Sequence, residues 1–301
     1  MKILITGSTG LVGTALAQDL QRAGHTVCRL IRPGTSAGNS PGFNVTWNPA
    51  TGELGGAAVG ADAVVNLAGA SIAEKRWTPQ RKQLLRSSRV DTTRALVQAL
   101  AKMSARPSVL VSASATGIYG NRSDETLTEA SEPGIDFLSG IAKEWESEAL
   151  KAEALRIRVV RARFGVILSK LGGALPQMLR PFQLFVGGKI GAGTQWLSWI
   201  TLDDTVAILR QALENANITG ALNVVSPQPV TNTQFTKTLA AALHRPALFP
   251  APAFALRLAL GEMADALLLS SQRVLPAQLL KLNHQFRYQD LQSALESILR
   301  S

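Results

Sequence analysis

Short apolar runs alternate with longer stretches whose apolar residues recur every three to four positions, and this rhythm organises the first half of the chain. Residues 2–6 (KILIT) read as a buried strand, and residues 11–23 carry Leu11, Ala15, Leu16 and Leu20 at the spacing that gives a helix one buried face. Gly24 ends that helix, and residues 25–31 return as a second strand, so the chain opens on a β-α-β unit with a parallel sheet. The rhythm continues. Residues 63–67 (AVVNL), 107–111 and 157–162 are continuous apolar runs of the kind covered on both faces, and helices are predicted over about 80–102 and 137–154. Strand alternating with helix predicts an α/β fold built on a doubly wound parallel sheet. Such sheets bind ligands beyond the carboxyl ends of their strands, where Asn66, Ser112 and Ser114 fall.

The first strand-to-helix turn, TGSTGLVG, places glycine at 7, 10 and 13. Gly7 permits a tight turn, Gly10 lets backbone approach a diphosphate, and Gly13 lets the helix pack closely on the sheet. Thr9, Leu11 and Val12 complete this cradle, in which free N–H groups and the positive helix end face phosphate. Glycines also occur in strand-to-helix turns that bind nothing, so position and context carry the dinucleotide reading. The second strand then closes on Ile31 and Arg32, where an NAD site offers a carboxylate to the ribose hydroxyls. A guanidinium there suits a 2′-phosphate, which favours NADP; the alternative is an ordinary surface charge.

Composition narrows the remaining classes. A chain of 301 residues, 46% hydrophobic, has room for a nucleotide domain and a smaller second part. One cysteine, Cys28, can form no internal disulfide and suits a reducing, cytoplasmic setting. His25, His244 and His284 lack metal-ligand spacing, so no metal is expected. The first apolar run is too short for a signal peptide, and no uncharged stretch approaches spanning length, so no membrane is expected either. The formal charge of +10 invites nucleic acid, yet its densest run, residues 75–89, reads as a helix face without stacking aromatics. No nucleic-acid partner is expected.

With TGSTGLVG, NLAG, SASATGIYG, the block from RFGVIL to WITLDD and the C-terminal SSQRVLPAQLLK, the chain resembles the atypical, extended short-chain dehydrogenases/reductases of the epimerase family over nearly its whole length. The resemblance implies a Rossmann-like NADP domain over 1–165, with 200–225 returning to it, and a smaller substrate or lid portion over 166–200 and 226–301. It also implies cofactor contacts at Leu67, Ala68 and Gly69, at Arg89 in the following helix, and at Ile167. The family's Tyr and Lys, which move a proton and hold the ribose, would fall on Leu138 and Ala142. Neither can do that work. Lys143 lies one residue late, about 100° round the helix. Ser114 matches the position that bonds the reacting oxygen, and Tyr119 is the candidate substitute acid/base, with local packing as the alternative.

Residues 172–199 mix glycines with Met178, Phe182, Phe185, Trp196 and Trp199, a pattern of either a substrate lid or a helix and hairpin filling the second portion. Gln195 and Trp199 are its candidate substrate contacts. Asp203–Asp204 and Thr231–Asn232 read as helix caps. Two functions follow. One is an NADP-dependent oxidoreductase or epimerase acting on a small carbonyl or sugar-nucleotide-like molecule, with a homodimer left open. The other is an NADPH-binding sensor or partner-binding module without catalysis.

Overall fold

The computed structural model describes residues 1–34 and 42–300. Eight strands form the central sheet: β1 (Lys2–Thr6), β2 (Thr26–Ile31), β3 (Phe43–Asn48), β4 (Glu53–Leu54), β5 (Ala63–Asn66), β6 (Val109–Ala115), β8 (Arg158–Phe164) and β12 (Gly220–Val224). Their order is β12-β8-β6-β5-β1-β2-β3-β4, and every pairing is parallel except β3 with the short β4. The chain leaves β1 toward β2 on one side and reaches β5 on the other, which makes the β1/β5 junction a topological switch point.

Both faces of the sheet are covered, which explains the unbroken apolar strands. Alternate residues such as Ile3, Ile5, Val65 and Val111 meet α1 (Leu11–Arg22) and α5 (Leu202–Glu214). Their neighbours Leu4, Val64 and Leu110 meet the second layer, α2 (Pro79–Ala101) and α3 (Phe137–Leu150). Residues 202–224 thus return to the sheet as α5 and β12.

A second core lies beside the sheet, where α4 (Leu175–Gln183), α6 (Asn232–Leu243) and α9 (Leu291–Arg300) close around Trp199, Phe182 and Phe235. Short pairs tie it down: β9 (Val166–Leu168) with β11 (Trp199–Thr201), β10 (Trp196–Leu197) with β13 (Val230–Thr231), and β7 (Thr126–Leu127) with β14 (Arg273–Val274). The remaining helices are α7 (Ala253–Leu260), a π-turn over Ala264–Leu269 and α8 (Ala277–Lys281). The cap before α6 follows the sequence, since Thr231 and Gln234 form a reciprocal capping box. The cap before α5 differs. Thr201 receives the Asp204 N–H, and the Asp204 carboxylate holds the backbone of Arg287 and Tyr288 instead. Among the described residues no helix is long and apolar enough to cross a membrane.

Candidate functional site

The site begins with backbone. Gly7 has φ +63°, and a Cβ there would stand 2.5 Å from the Leu67 carbonyl oxygen. The turn is therefore pressed against the loop that leaves β5, and only glycine fits. Gly13 closes the other side, where a Cβ would meet the Gly7 carbonyl oxygen at 2.3 Å. No side chain caps the start of α1 at Gly10, and the Ser8 hydroxyl is buried within the turn with no partner among the described residues. Thr9 and Gly10 are exposed there, with Leu11 and Val12 half-buried behind them. An uncapped helix start, an unbonded hydroxyl and a turn with no room for a side chain make a cradle for an anion.

Polar side chains between the strands set the adjoining loop. Thr6 donates to Asn66 Oδ1 at 2.7 Å and accepts the N–H groups of Leu67 and Ala68. Asn66 in turn donates to Thr93 and Ser112, and Trp145 Nε1 donates to Thr93. This buried chain fixes Leu67, Ala68 and Gly69 beside the glycine turn. Thr6 and Thr93 escaped the sequence reading, for their partners lie far along the chain; a threonine ending an apolar strand was the available signal.

Arg89 lies against Gly69, where a Cβ would stand 3.2 Å from its guanidinium carbon. It donates to the carbonyls of Ala70 and Leu85 and stacks over Trp145. Burial, with Arg81 nearby, lowers its pKa to about 10, so the cation persists at neutral pH. Its neighbours in the basic run carry carboxylates from elsewhere: Arg81 pairs with Glu74, Lys82 with Glu262, and Arg86 with Glu144. Ile31 and the exposed Arg32 stand at the carboxyl end of β2. Ile167 lies in β9, and Gly173 brings the next segment within reach of both Leu11 and the Ile167 carbonyl. The cofactor candidates thus gather along one edge of the sheet.

The catalytic candidates are held differently. Ser114 is buried and donates to Glu146 Oε1 at 2.7 Å. Glu146 also takes Arg163 through two bonds, at 2.7 and 2.9 Å, and Arg161 at 2.8 Å. Tyr119 is 0% exposed, donates to Asn223 at 2.7 Å and accepts from Arg163 at 2.9 Å. Burial raises its pKa, with Arg163 opposing. Its hydroxyl is a structural link here, which corrects the expectation of a substrate-facing acid/base. Ala142 is buried beside Tyr119, and Lys143 is exposed.

The second portion takes the packing alternative at Trp199, which is 0% exposed and donates its indole N–H to the Gln228 carbonyl. A fully enclosed ring cannot touch substrate, so Trp199 is a core residue. Gln195 is half-buried and ties the Ile190 and Leu268 carbonyls together, leaving its amide oxygen as the group that could meet a ligand. Among the described residues no group of three or more His, Cys, Asp or Glu is disposed to hold a metal ion.

Comparison with known proteins shows relatives over nearly the whole chain. The model of the NAD dependent epimerase/dehydratase family matches residues 3–224, and one described as a domain of unknown function matches residues 251–298. The epimerase family protein YfhF of Bacillus subtilis is 42% identical over 300 residues, covering 99% of this chain and 98% of its own. The epimerase family protein Mb2239 of Mycobacterium bovis is 40% identical over 294 residues, covering 97% and 96%. The crystal structure of human epimerase family protein SDR39U1 (isoform 2) with NADPH is 34% identical and covers 100% of both chains with a TM-score of 0.88.

Proposed function

The chain belongs to the NAD dependent epimerase/dehydratase family, and from that premise we propose that it binds NADPH along the carboxyl edge of its sheet and acts as an NADP-dependent oxidoreductase on a small carbonyl or sugar-nucleotide-like molecule. The observation that carries the reading is the cradle at Gly7, Ser8 and Gly13, whose unbonded hydroxyl and uncapped helix start fit a diphosphate. Arg32 supports NADP over NAD, since a guanidinium rather than a carboxylate ends β2. Arg89 supplies a second, half-buried cation beside the Leu67-Ala68-Gly69 loop. The human relative crystallised with NADPH supports the same choice.

A dihydronicotinamide supplies a hydride when bound. The chain's own contribution is orientation: Thr6 and Asn66 fix the loop, and Gly173 lies against Leu11 and the Ile167 carbonyl beside the start of α1. Leu138 and Ala142 can deliver no proton, and the Ser114 hydroxyl is engaged as a hydrogen-bond donor to Glu146. A substrate oxygen reduced at this site therefore takes its proton from water. Calorimetry with NADPH and NADH tests the cofactor; an NADPH complex tighter than the NADH one is expected, and heat from neither overturns the reading. NADPH oxidation followed across small carbonyls, quinones and sugar nucleotides then tests the activity.

One observation favours the second reading. With the Tyr-Lys pair absent and Ser114 bonded inward, the site has the form of an NADPH sensor. Tight NADPH binding without turnover across that panel would assign it so. A cytoplasmic setting rests on the single buried Cys28, and sedimentation of the purified chain tests pairing of two copies.

A further inference from the structure

A helix of eight residues that buries none of them stands on the outer side of the second portion. This is α7, AFALRLAL, apolar at every position but Arg257, with Phe254 and Leu258 more than 70% exposed. Ala253, Leu256 and Leu260 are half-buried on one side of the helix, which packs on Ala264–Leu269, while Phe254 and Leu258 stand exposed. The segment before it runs beside residues 185–191: Phe249 N–H donates to the Gly187 carbonyl, Ala251 N–H to the Lys189 carbonyl, and Gly191 N–H to the Ala251 carbonyl. Phe185 and Val186 are thereby brought alongside Leu248 and Phe249, all more than half exposed. Phe185, Val186, Leu248 and Phe249 thus group as exposed apolar side chains, with Phe254 and Leu258 following five and nine residues after Phe249, and such a grouping marks an interaction site.

Its charge identifies the partner. The sequence has no Asp or Glu between Glu153 and Asp203, nor between Glu214 and Glu262, and both apolar stretches fall inside those gaps. Arg180 lies one turn before Leu184, Lys189 follows Val186, and Arg245 stacks over the Phe185 ring at 4.6 Å. Among the described residues no carboxylate pairs with any of these three. The acids that follow α7 are already neutralised, Asp265 by Arg257 and Glu262 by Lys82. Exposed apolar side chains are thus flanked by cations, Arg245 in direct contact with Phe185 and Arg180 and Lys189 close in sequence. A second copy meeting this surface through the same face would set like charges together with no carboxylate between them. A bilayer with anionic headgroups meets both demands, because it accepts apolar side chains below a layer of negative charge.

We propose that α7 and the adjoining 185–189 and 248–249 segments dock the protein on an anionic lipid surface. This goes beyond the proposed redox activity and does not depend on it. Peripheral attachment needs no spanning helix: Phe249, Phe254 and Leu258 enter the acyl boundary while Arg180, Lys189 and Arg245 meet the headgroups.

The test is co-sedimentation of the full chain with large vesicles of phosphatidylcholine alone or mixed with phosphatidylglycerol, at low and high salt. Binding to the mixed vesicles at least about tenfold stronger than to the neutral ones, and weakened by salt, is expected. The triple variant Phe185→Ser/Phe249→Ser/Phe254→Ser should lose binding at least about tenfold with an unchanged melting temperature. The variant Arg180→Gln/Lys189→Gln/Arg245→Gln, which leaves the apolar surface intact, should bind both vesicle types alike. No binding to either composition overturns the proposal, as does equal binding of wild-type protein to both. A dimer in sedimentation equilibrium that the serine variant dissolves, without vesicle binding, also overturns it and assigns the face to a second copy.

Discussion

Ser114 on β6 donates its hydroxyl proton to Glu146 on α3 at 2.7 Å, and that carboxylate is the shared counter-charge of Arg161 and Arg163. One buried acid thus balances two guanidiniums and holds the hydroxyl that the family resemblance would turn toward substrate. Arg163 shows the balance: burial works against its charge, yet the bonds to Glu146 and Tyr119 raise its pKa overall. Removing the acid leaves the buried Arg163 and the half-buried Arg161 uncompensated. Glu146→Ala should therefore lower stability by about 3–5 kcal/mol, measured by urea unfolding. A loss below about 1 kcal/mol would mean that water or another acid replaces the carboxylate.

Tyr119 tests whether the same network is structural. Its hydroxyl links Arg163 to Asn223, and Asn223 extends the chain by donating to the Leu275 carbonyl. Tyr119→Phe should lower stability by about 1–3 kcal/mol, because Asn223 Oδ1 is left without its donor. NADPH affinity should stay unchanged in calorimetry. Any turnover lost in proportion to folded protein fits this role, whereas loss in fully folded protein would return Tyr119 to catalysis.

Arg32 separates the two coenzymes. The guanidinium stands exposed at the end of β2, with no acid beside it in sequence. Arg32→Ala should weaken NADPH binding by about 1.5–3 kcal/mol, the worth of hydrogen bonds to a charged group. NADH binding should barely change. Equal losses for both would remove Arg32 from the site.

What the sequence made legible was local. The strands of the sheet's centre are readable because both faces are covered, and α1 because its apolar residues keep helical spacing. The capping box at Thr231 and Gln234 spans four residues and was equally open to reading. The strand β3, FNVTWN, beside the short edge strand β4, is not legible in the sequence: it buries only Val45 and Trp47 among polar neighbours, so its alternation is short and weak. The network of Glu146, Arg163, Tyr119 and Asn223 was hidden for another reason, since its members come from separate elements. Arg161 and Arg163, two of the three arginines in the RVVRARF strand, were the trace it left, for a charge in a covered strand requires a partner. Tyr119 and Trp199 drew attention as chemistry, and burial makes them packing.

The glycine turn gives a steric test. A methyl at Gly13 would lie 2.3 Å from the Gly7 carbonyl oxygen, and backbone on both sides has nowhere to yield. Gly13→Ala should cost roughly 1–3 kcal/mol of stability and open the cradle, so NADPH affinity falls as well. Gly24→Ala is the informative comparison, because a methyl there meets nothing within 4 Å. Its φ of +84° still strains an alanine, so stability falls while coenzyme affinity holds.

His284 sets an acid limit on the fold. Nδ1 lies 2.6 Å from Gln211 Oε1, the ring meets Phe286 edge-on, and Nε2 is buried with no partner among the described residues. Burial lowers its pKa, with Asp204 opposing, so the folded protein prefers the neutral ring more than the unfolded chain does. Between the two values the unfolded chain binds more protons, and stability rises with pH. The contribution is complete above the unfolded value of about 6.5 and is lost as pH falls through the folded value. The melting temperature should drop from pH 7.5 toward pH 5.5, and His284→Asn, whose amide can still donate to Gln211, should flatten that slope. An identical slope in the variant would assign the acid sensitivity to another group.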